Sequence, residues 1–246
     1  MMPKIILNYH HIRSANERKT KGVLSIEVGR FHQHIDLLEE LITSHQLQSA
    51  HCKSSLPEVL VTFDDGYLSQ FETIVSNSNN LLKSAVFFPI ISRINQKGYM
   101  SWEHLRQLVQ SGHRIGAHGW NHLRWTCLPQ QELRREAYDA KIKLEDELDC
   151  SIESVALPFG LYNTRVLDYL RTIGFSSIYS TRSMFNSESE GCGLMHRFNL
   201  NDHLSGVDIM ERWMKMEKNS NRLAINSYAA LQWNRMLSLS NLQLYL

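Results

Sequence analysis

A chain of 246 residues, 43% of them hydrophobic, is long enough to bury one large α/β core, and no shift in composition asks for a second. Its 26 basic and 25 acidic residues leave a net charge of +1, which excludes a global field drawing the chain to nucleic acid or anionic lipid. The apolar run near Met1 is too short for a signal peptide and no stretch is long enough to span a bilayer, so a cytoplasmic protein without a transmembrane segment is expected.

Taken in order, residues 5–9 read as a first strand that delivers His10 and His11 at its carboxyl end. Over residues 30–44, Phe31, Ile35, Leu38, Leu41 and Ile42 recur at helical spacing, while His32 and His34 fall off that stripe as solvated side chains. The run Val59-Leu60-Val61-Thr62-Phe63 is a buried strand that ends in Asp64, Asp65 and Gly66. An ionised carboxylate at such a place must be ion-paired, hydrogen-bonded or metal-bound. The plainer alternative is an Asp65-Gly66 turn with Asp64 as a helix cap.

A helix over 67–83 follows, weakened by Ser76-Asn77-Ser78-Asn79-Asn80. Residues 85–91 are apolar enough to be buried on both faces, as in a parallel sheet covered by helices. Ser101 caps a helix carrying Trp102, Leu105, Leu108 and Val109, and Gly112 stops it. A short strand over 114–117 leads to His118, and Pro129 opens a long charged helix reaching Asp149. Residues 154–157 form a strand closed by Pro158-Phe159-Gly160, and Asn163 caps a helix to Arg171. Strands over 174–179 and 194–200 follow; the tail from Asn219 to Leu246 is compatible with a packed helix, a homo-oligomer contact or a frayed end. Cys52, Cys127, Cys150 and Cys192 match no metal or disulfide spacing and read as reduced, structural residues.

This alternation of strand and helix argues for parallel β/α units, closing into a barrel or winding as an open sheet. A barrel is favoured because His10, Asp64, Asp65, His118, His122 and the 158–160 turn all follow strands, where a barrel gathers its active site. No G-x-G-x-x-G or Walker sequence follows any strand, so a nucleotide-binding sheet has no support. His118-Gly119-Trp120-Asn121-His122 spaces two imidazoles by four; with Asp65 they make the His, His, carboxylate set of catalytic metal sites. An isolated pair at that spacing is more often a surface or core pair, and the place of this one after a strand raises its weight. The zinc-protease pattern needs Glu directly after the first histidine, where this chain has Gly119. Trp120 and Trp125, beside that loop, suit either sugar stacking or the core.

Thr62-Phe63-Asp64-Asp65-Gly66, His118-x-x-x-His122 and Leu157-Pro158-Phe159-Gly160-x-Tyr162-Asn163 resemble, in order and spacing, the motifs of the polysaccharide deacetylase family (carbohydrate esterase family 4, NodB-like). The resemblance spans roughly Ile5 to Leu200. It implies an α/β fold, a distorted (β/α) barrel of about seven parallel strands, as one domain over 1–218 with residues 219–246 as a tail. It also implies metal-dependent hydrolysis of an N-acetyl group on an N-acetylglucosamine-type glycan or its nucleotide- or lipid-linked precursor. Asp65, His118 and His122 would hold a divalent metal, Zn2+ before Co2+, Ni2+ or Fe2+. Asp64 would be the base toward the water that the metal activates, and the Phe159 N–H an oxyanion donor.

Two departures bear on this. Gly119 stands where many members have Ser or Thr, and Ala156 where many have an arginine that orients the base. The exopolysaccharide (poly-N-acetylglucosamine) deacetylase branch also lacks that arginine, and Arg197 is placed to replace its charge. In that branch the acid is a histidine of an N-terminal Tyr-His-x-Ile segment, which Tyr9-His10-His11-Ile12 resembles; elsewhere it lies near the domain end, where His196 stands. His10 ranks first, and His11 is expected to face solvent. The alternatives are a deformylase or small-molecule amidase with the same site, or a catalytically silent glycan-binding barrel.

Overall fold

The computed structural model describes residues 4–49, 58–77, 79–186 and 193–221. In chain order its elements are β1 (Lys4–Tyr9), β2 (His11–Arg13), β3 (Ser25–Glu27), α1 (Val28–Ser49), β4 (Glu58–Asp65), α2 (Leu68–Val75), β5 (Val86–Pro89), α3 (Trp102–Gln110), β6 (Arg114–Ile115), α4 (Gln130–Arg134), α5 (Ala140–Leu148), β7 (Ser154–Ala156), α6 (Thr164–Thr172), β8 (Ser177–Ser180), β9 (Leu194–His196), β10 (Phe198–Asn199) and α7 (Gly206–Asn221). The α/β class expected from the sequence is the class observed.

Every ladder described is parallel, with β10-β1-β4-β5-β6 in one sheet, β7-β8-β9 in another and β2-β3 as a side pair. Two seams join the large sheets. Ala117, just past β6, bridges Val155 of β7. Across the second, the short run 194–199 pairs with β8 through its first half and with β1 through its second, changing partner at Arg197. Neighbouring strands therefore follow one another from β1 round to β1 again. The buried runs Ile5-Ile6-Leu7 and Val86-Phe87-Phe88 explain the topology, because strands apolar on both faces need cover on both.

Several local expectations are corrected. The helix expected to Lys83 ends at Val75, and Asn79 instead caps a 3-10 turn over Asn80–Leu82 by accepting from the Leu81 N–H; side chains that bond their own backbone compete with helix. The long helix after Pro129 is interrupted by a π-helical turn over Arg135–Asp139. Strands β2 and β3 and helix α7 were not foreseen. The tail beyond Asn221, with Cys52 and Cys192, lies outside the described residues; Cys127 and Cys150 are free thiols. Among the described residues no helix is long and apolar enough to cross a membrane.

His34 is the clearest correction, being 7% exposed rather than solvated. It stands three residues after buried Phe31, on the face of α1 that α7 covers. Burial pulls its pKa down to about 4, against the opposing charge of Asp208 and with the help of Arg30. Between that value and the ordinary 6.5 the unfolded chain binds a proton that the folded chain does not, so stability rises with pH across this window. Lowering the pH from 7 to 5 should therefore cost about 2 kcal/mol through His34, and His34→Gln should flatten that slope in urea titrations at the two pH values.

Candidate active site

The carboxyl ends of the parallel strands deliver the site, as a β/α fold dictates. β1 carries Asn8 next to its last residue and leads to His10; β4 ends in Asp64 and Asp65; His118 follows the β6 seam; Arg197 sits between β9 and β10. In a regular strand Asp64 and Asp65 would point to opposite faces. A left-handed φ of +72° at Asp65, followed by +79° at Gly66, ends the strand instead. Both carboxylates consequently reach the same imidazole, with His118 Nε2 3.7 Å from Asp65 Oδ1 and 3.9 Å from Asp64 Oδ2. Gly66 is required there, since a Cβ would lie 3.0 Å from Cβ of Pro89.

Asp65, His118 and His122 form one cluster, their ligand atoms all within 4.8 Å of one another. His118 Nδ1 donates to the Ala156 carbonyl at 2.9 Å, leaving the Nε2 lone pair turned toward Asp65. His122, with φ +60°, brings its Nε2 to 3.9 Å from the same Asp65 oxygen. Ligands at tetrahedral zinc distances stand about 3.3 Å apart, so separations of 3.7 and 3.9 Å need only a few tenths of an ångström of closure. Two imidazoles and a carboxylate with that spacing fit a divalent cation with an open position.

Asp64 is 1% exposed and is paired by Arg197, itself 0% exposed, beside the cluster. The guanidinium donates to both carboxylate oxygens at 2.7 Å, and Asn8 Nδ2 adds a bond to Oδ2 at 3.0 Å. Burial opposes ionisation of Asp64, but Arg197, joined by His118 and His10, outweighs it and keeps the carboxyl well below the usual carboxylate range. Gln70 Nε2 ties the backbone together by donating to the carbonyls of Asp64 at 2.6 Å and His10 at 3.0 Å. Neither Asn8 nor Gln70 carried a sequence signal.

The two histidines considered as acids are placed differently. His10 Nε2 lies 3.8 Å from Asp64 Oδ2, and burial lowers its pKa while Asp64 and Asp65 pull it upward. His196 is engaged by Ser180, whose Oγ lies 2.6 Å from its Nδ1, and Asn186 clamps its backbone N–H and carbonyl. His11 is half-buried rather than solvent-facing, its ring 4.8 Å from that of Tyr67 and its Nε2 3.5 Å from Glu17. Phe159 stands at the mouth with φ +59°, half-exposed, its ring 4.6 Å from the His122 ring. It opens onto a cleft of about 440 Å³ lined by Gly160, Leu161, Tyr162, Thr181 and Arg182. Trp125 belongs to the core at 1% exposed, whereas Trp120 is half-buried under Arg135.

A family model described as polysaccharide deacetylase matches residues 53–178, which include both aspartates, both cluster histidines and the 158–160 turn. The chain belongs to the polysaccharide deacetylase family. Members of that family hydrolyse acetyl groups from glycans, and this chain is an enzyme of that class. Bacillus subtilis YxkH, which bears a polysaccharide-deacetylase name, is 24% identical over 214 residues, covering 82% of this chain and 72% of its own. The fold is shared with two solved structures. The Streptococcus pyogenes deacetylase PplD, in complex with acetate, has a TM-score of 0.69 at 17% identity, over 85% of this chain and 97% of that one. The de-N-acetylase from Aggregatibacter actinomycetemcomitans has a TM-score of 0.70 at 18% identity, over 85% and 99%.

The Arg197–Asp64 pair makes a quantitative expectation for stability. Arg197→Met leaves a buried carboxylate unpaired and should destabilise the fold by about 3–5 kcal/mol. Adding Asp64→Asn should recover most of that loss, a non-additivity that urea unfolding of the two single variants and the double variant would measure.

Proposed function

We propose that this polysaccharide deacetylase removes the N-acetyl group of an N-acetylglucosamine-type residue, in a poly-N-acetylglucosamine-like glycan or its nucleotide- or lipid-linked precursor, using a divalent cation held by Asp65, His118 and His122. The observation that carries this reading is that cluster, with its ligand atoms within 4.8 Å, set beside a separately paired carboxylate. A cation there supplies Lewis-acid polarisation of the amide carbonyl and brings the pKa of water toward neutrality; nitrogen-rich ligands favour zinc.

The protein groups divide the remaining work. Asp64, kept ionised by Arg197, is assigned the proton of the attacking water. A carboxylate with so low a pKa is a weak base by itself, which is why the reading pairs it with a cation that makes water acidic. Water adds to the acetyl carbon, the developing oxyanion meets the Phe159 N–H, and the C–N bond breaks to give acetate and the sugar amine. His10 Nε2, 3.8 Å from Asp64, is assigned the proton delivered to the leaving nitrogen. Burial lowers its pKa, while the neighbouring charges of Asp64 and Asp65 favour the protonated form that delivers this proton. The exopolysaccharide-type substrate is supported by the resemblance to the branch that lacks the arginine at position 156, while Arg197 supplies the charge beside Asp64 that Ala156 does not offer.

Acetate release from N-acetylglucosamine oligomers should disappear on chelation and return with Zn2+ or Co2+. Asp64→Asn should lower kcat by about 10²–10⁴-fold. Full activity after chelation, or an unchanged kcat in Asp64→Asn, would overturn the reading. His10→Ala should fall by a factor in the same range, while a folded His196→Ala should lose less than about tenfold, a comparison that single-turnover kinetics decides.

A further inference from the structure

The loop that carries His122 is shaped by a buried carboxylate with no place in the chemistry described above. Glu136, 1% exposed, lies in the π-helical turn Arg135–Asp139. Its Oε1 accepts the backbone N–H of Asn121 at 2.8 Å; its Oε2 accepts the N–H of Leu123 and the indole N–H of Trp125, both at 3.3 Å. The two backbone donors flank His122, which has a left-handed φ of +60°. Such a conformation in a non-glycine residue costs on the order of 1–3 kcal/mol and persists only where its surroundings over-determine it.

The same carboxylate accounts for Gly119. A Cβ at that position would lie 2.8 Å from Glu136 Oε2 and on a backbone with φ +86°. A larger residue there would press on the Glu136 carboxylate, which reaches into that space from the neighbouring helix. The π-helical turn inserts one residue into the helical repeat and so turns Glu136 inward between α4 and α5.

From these contacts we infer that Glu136 is a positioning residue for the cation site, fixing His122 by bonding the N–H groups on either side of it. The inference rests on the reading of Asp65, His118 and His122 as cation ligands. Groups behind metal ligands hold them in binding geometry, and their loss typically lowers metal affinity by about 10–100-fold.

Glu136→Gln keeps the side-chain shape but turns an NH2 group toward N–H donors on one side of the carboxylate. In the full chain, Zn2+ affinity measured by chelator competition should fall by about 10–100-fold, with a changed visible spectrum of the Co2+-loaded protein and an unaltered far-UV circular dichroism spectrum without metal. Gly119→Ala presses on the same carboxylate from the other side and should lower affinity in the same direction. Zn2+ affinity within about twofold of the parent in either folded variant, with an unchanged Co2+ spectrum, would overturn the assignment. Failure of the parent chain itself to bind Zn2+ would overturn the reading of the cation site instead.

Discussion

Taking Asp64 out of water leaves a carboxylate that the interior tolerates only when fully paired, and Arg197 pairs it through two bonds of 2.7 Å. The guanidinium also reaches Asn8 Oδ1 at 3.0 Å and donates from Nε to the Ser180 carbonyl at 3.3 Å. One side chain therefore touches β1, β4 and β8. It does so at the point where the 194–199 run changes partner, so the interaction that orders the Asp64 carboxylate is also one that joins the two sheets. Stability and the geometry of the site share the same buried charge, and a variant that disturbs one disturbs the other.

Around that pair the site is assembled from backbone conformations that an unconstrained chain avoids. Asp65, His122 and Phe159 all adopt left-handed φ values without being glycine. The structure places them where three separate chain segments meet, and each is braced by neighbours. Gln70 holds the carbonyl of Asp64, next to Asp65; Glu136 holds the residues on either side of His122; Thr181 Oγ1 donates to the Phe159 carbonyl at 3.4 Å. Strain gathered there is offset by the surrounding bonds, which hold these side chains in one arrangement.

What could be read from the sequence follows from how far each determinant reaches along the chain. Apolar runs located β1, β4 and β5, and the Asp64-Asp65, His118/His122 and 158–160 motifs located the cluster, because each is written within a few residues. Helix α2 is shorter than the apolar pattern suggests, since the side chains of Ser76, Asn77 and Asn79 bond nearby backbone and end it. His34 was misplaced because the helix α7 that covers it begins about 170 residues later. Arg197 was noticed only as a substitute charge, and Asn8 and Gln70 not at all, for periodicity carries no record of which polar side chain meets Asp64 across 133, 56 or 6 positions.

Ala156 shows what a small side chain leaves open beside Asp64. It is fully buried in a small cluster with Ile6, Phe88 and Tyr179. The rings of Phe88 and Tyr179 lie beneath the Arg197 guanidinium at 5.4 and 5.7 Å, and the Ala156 carbonyl is the partner that fixes His118. A small side chain at 156 thus leaves the floor of the site to two aromatic faces, on which a planar cation can stack while donating to Asp64. The charge that orders Asp64 comes from Arg197, 133 positions along the chain, and Ala156 contributes its backbone carbonyl to His118 instead.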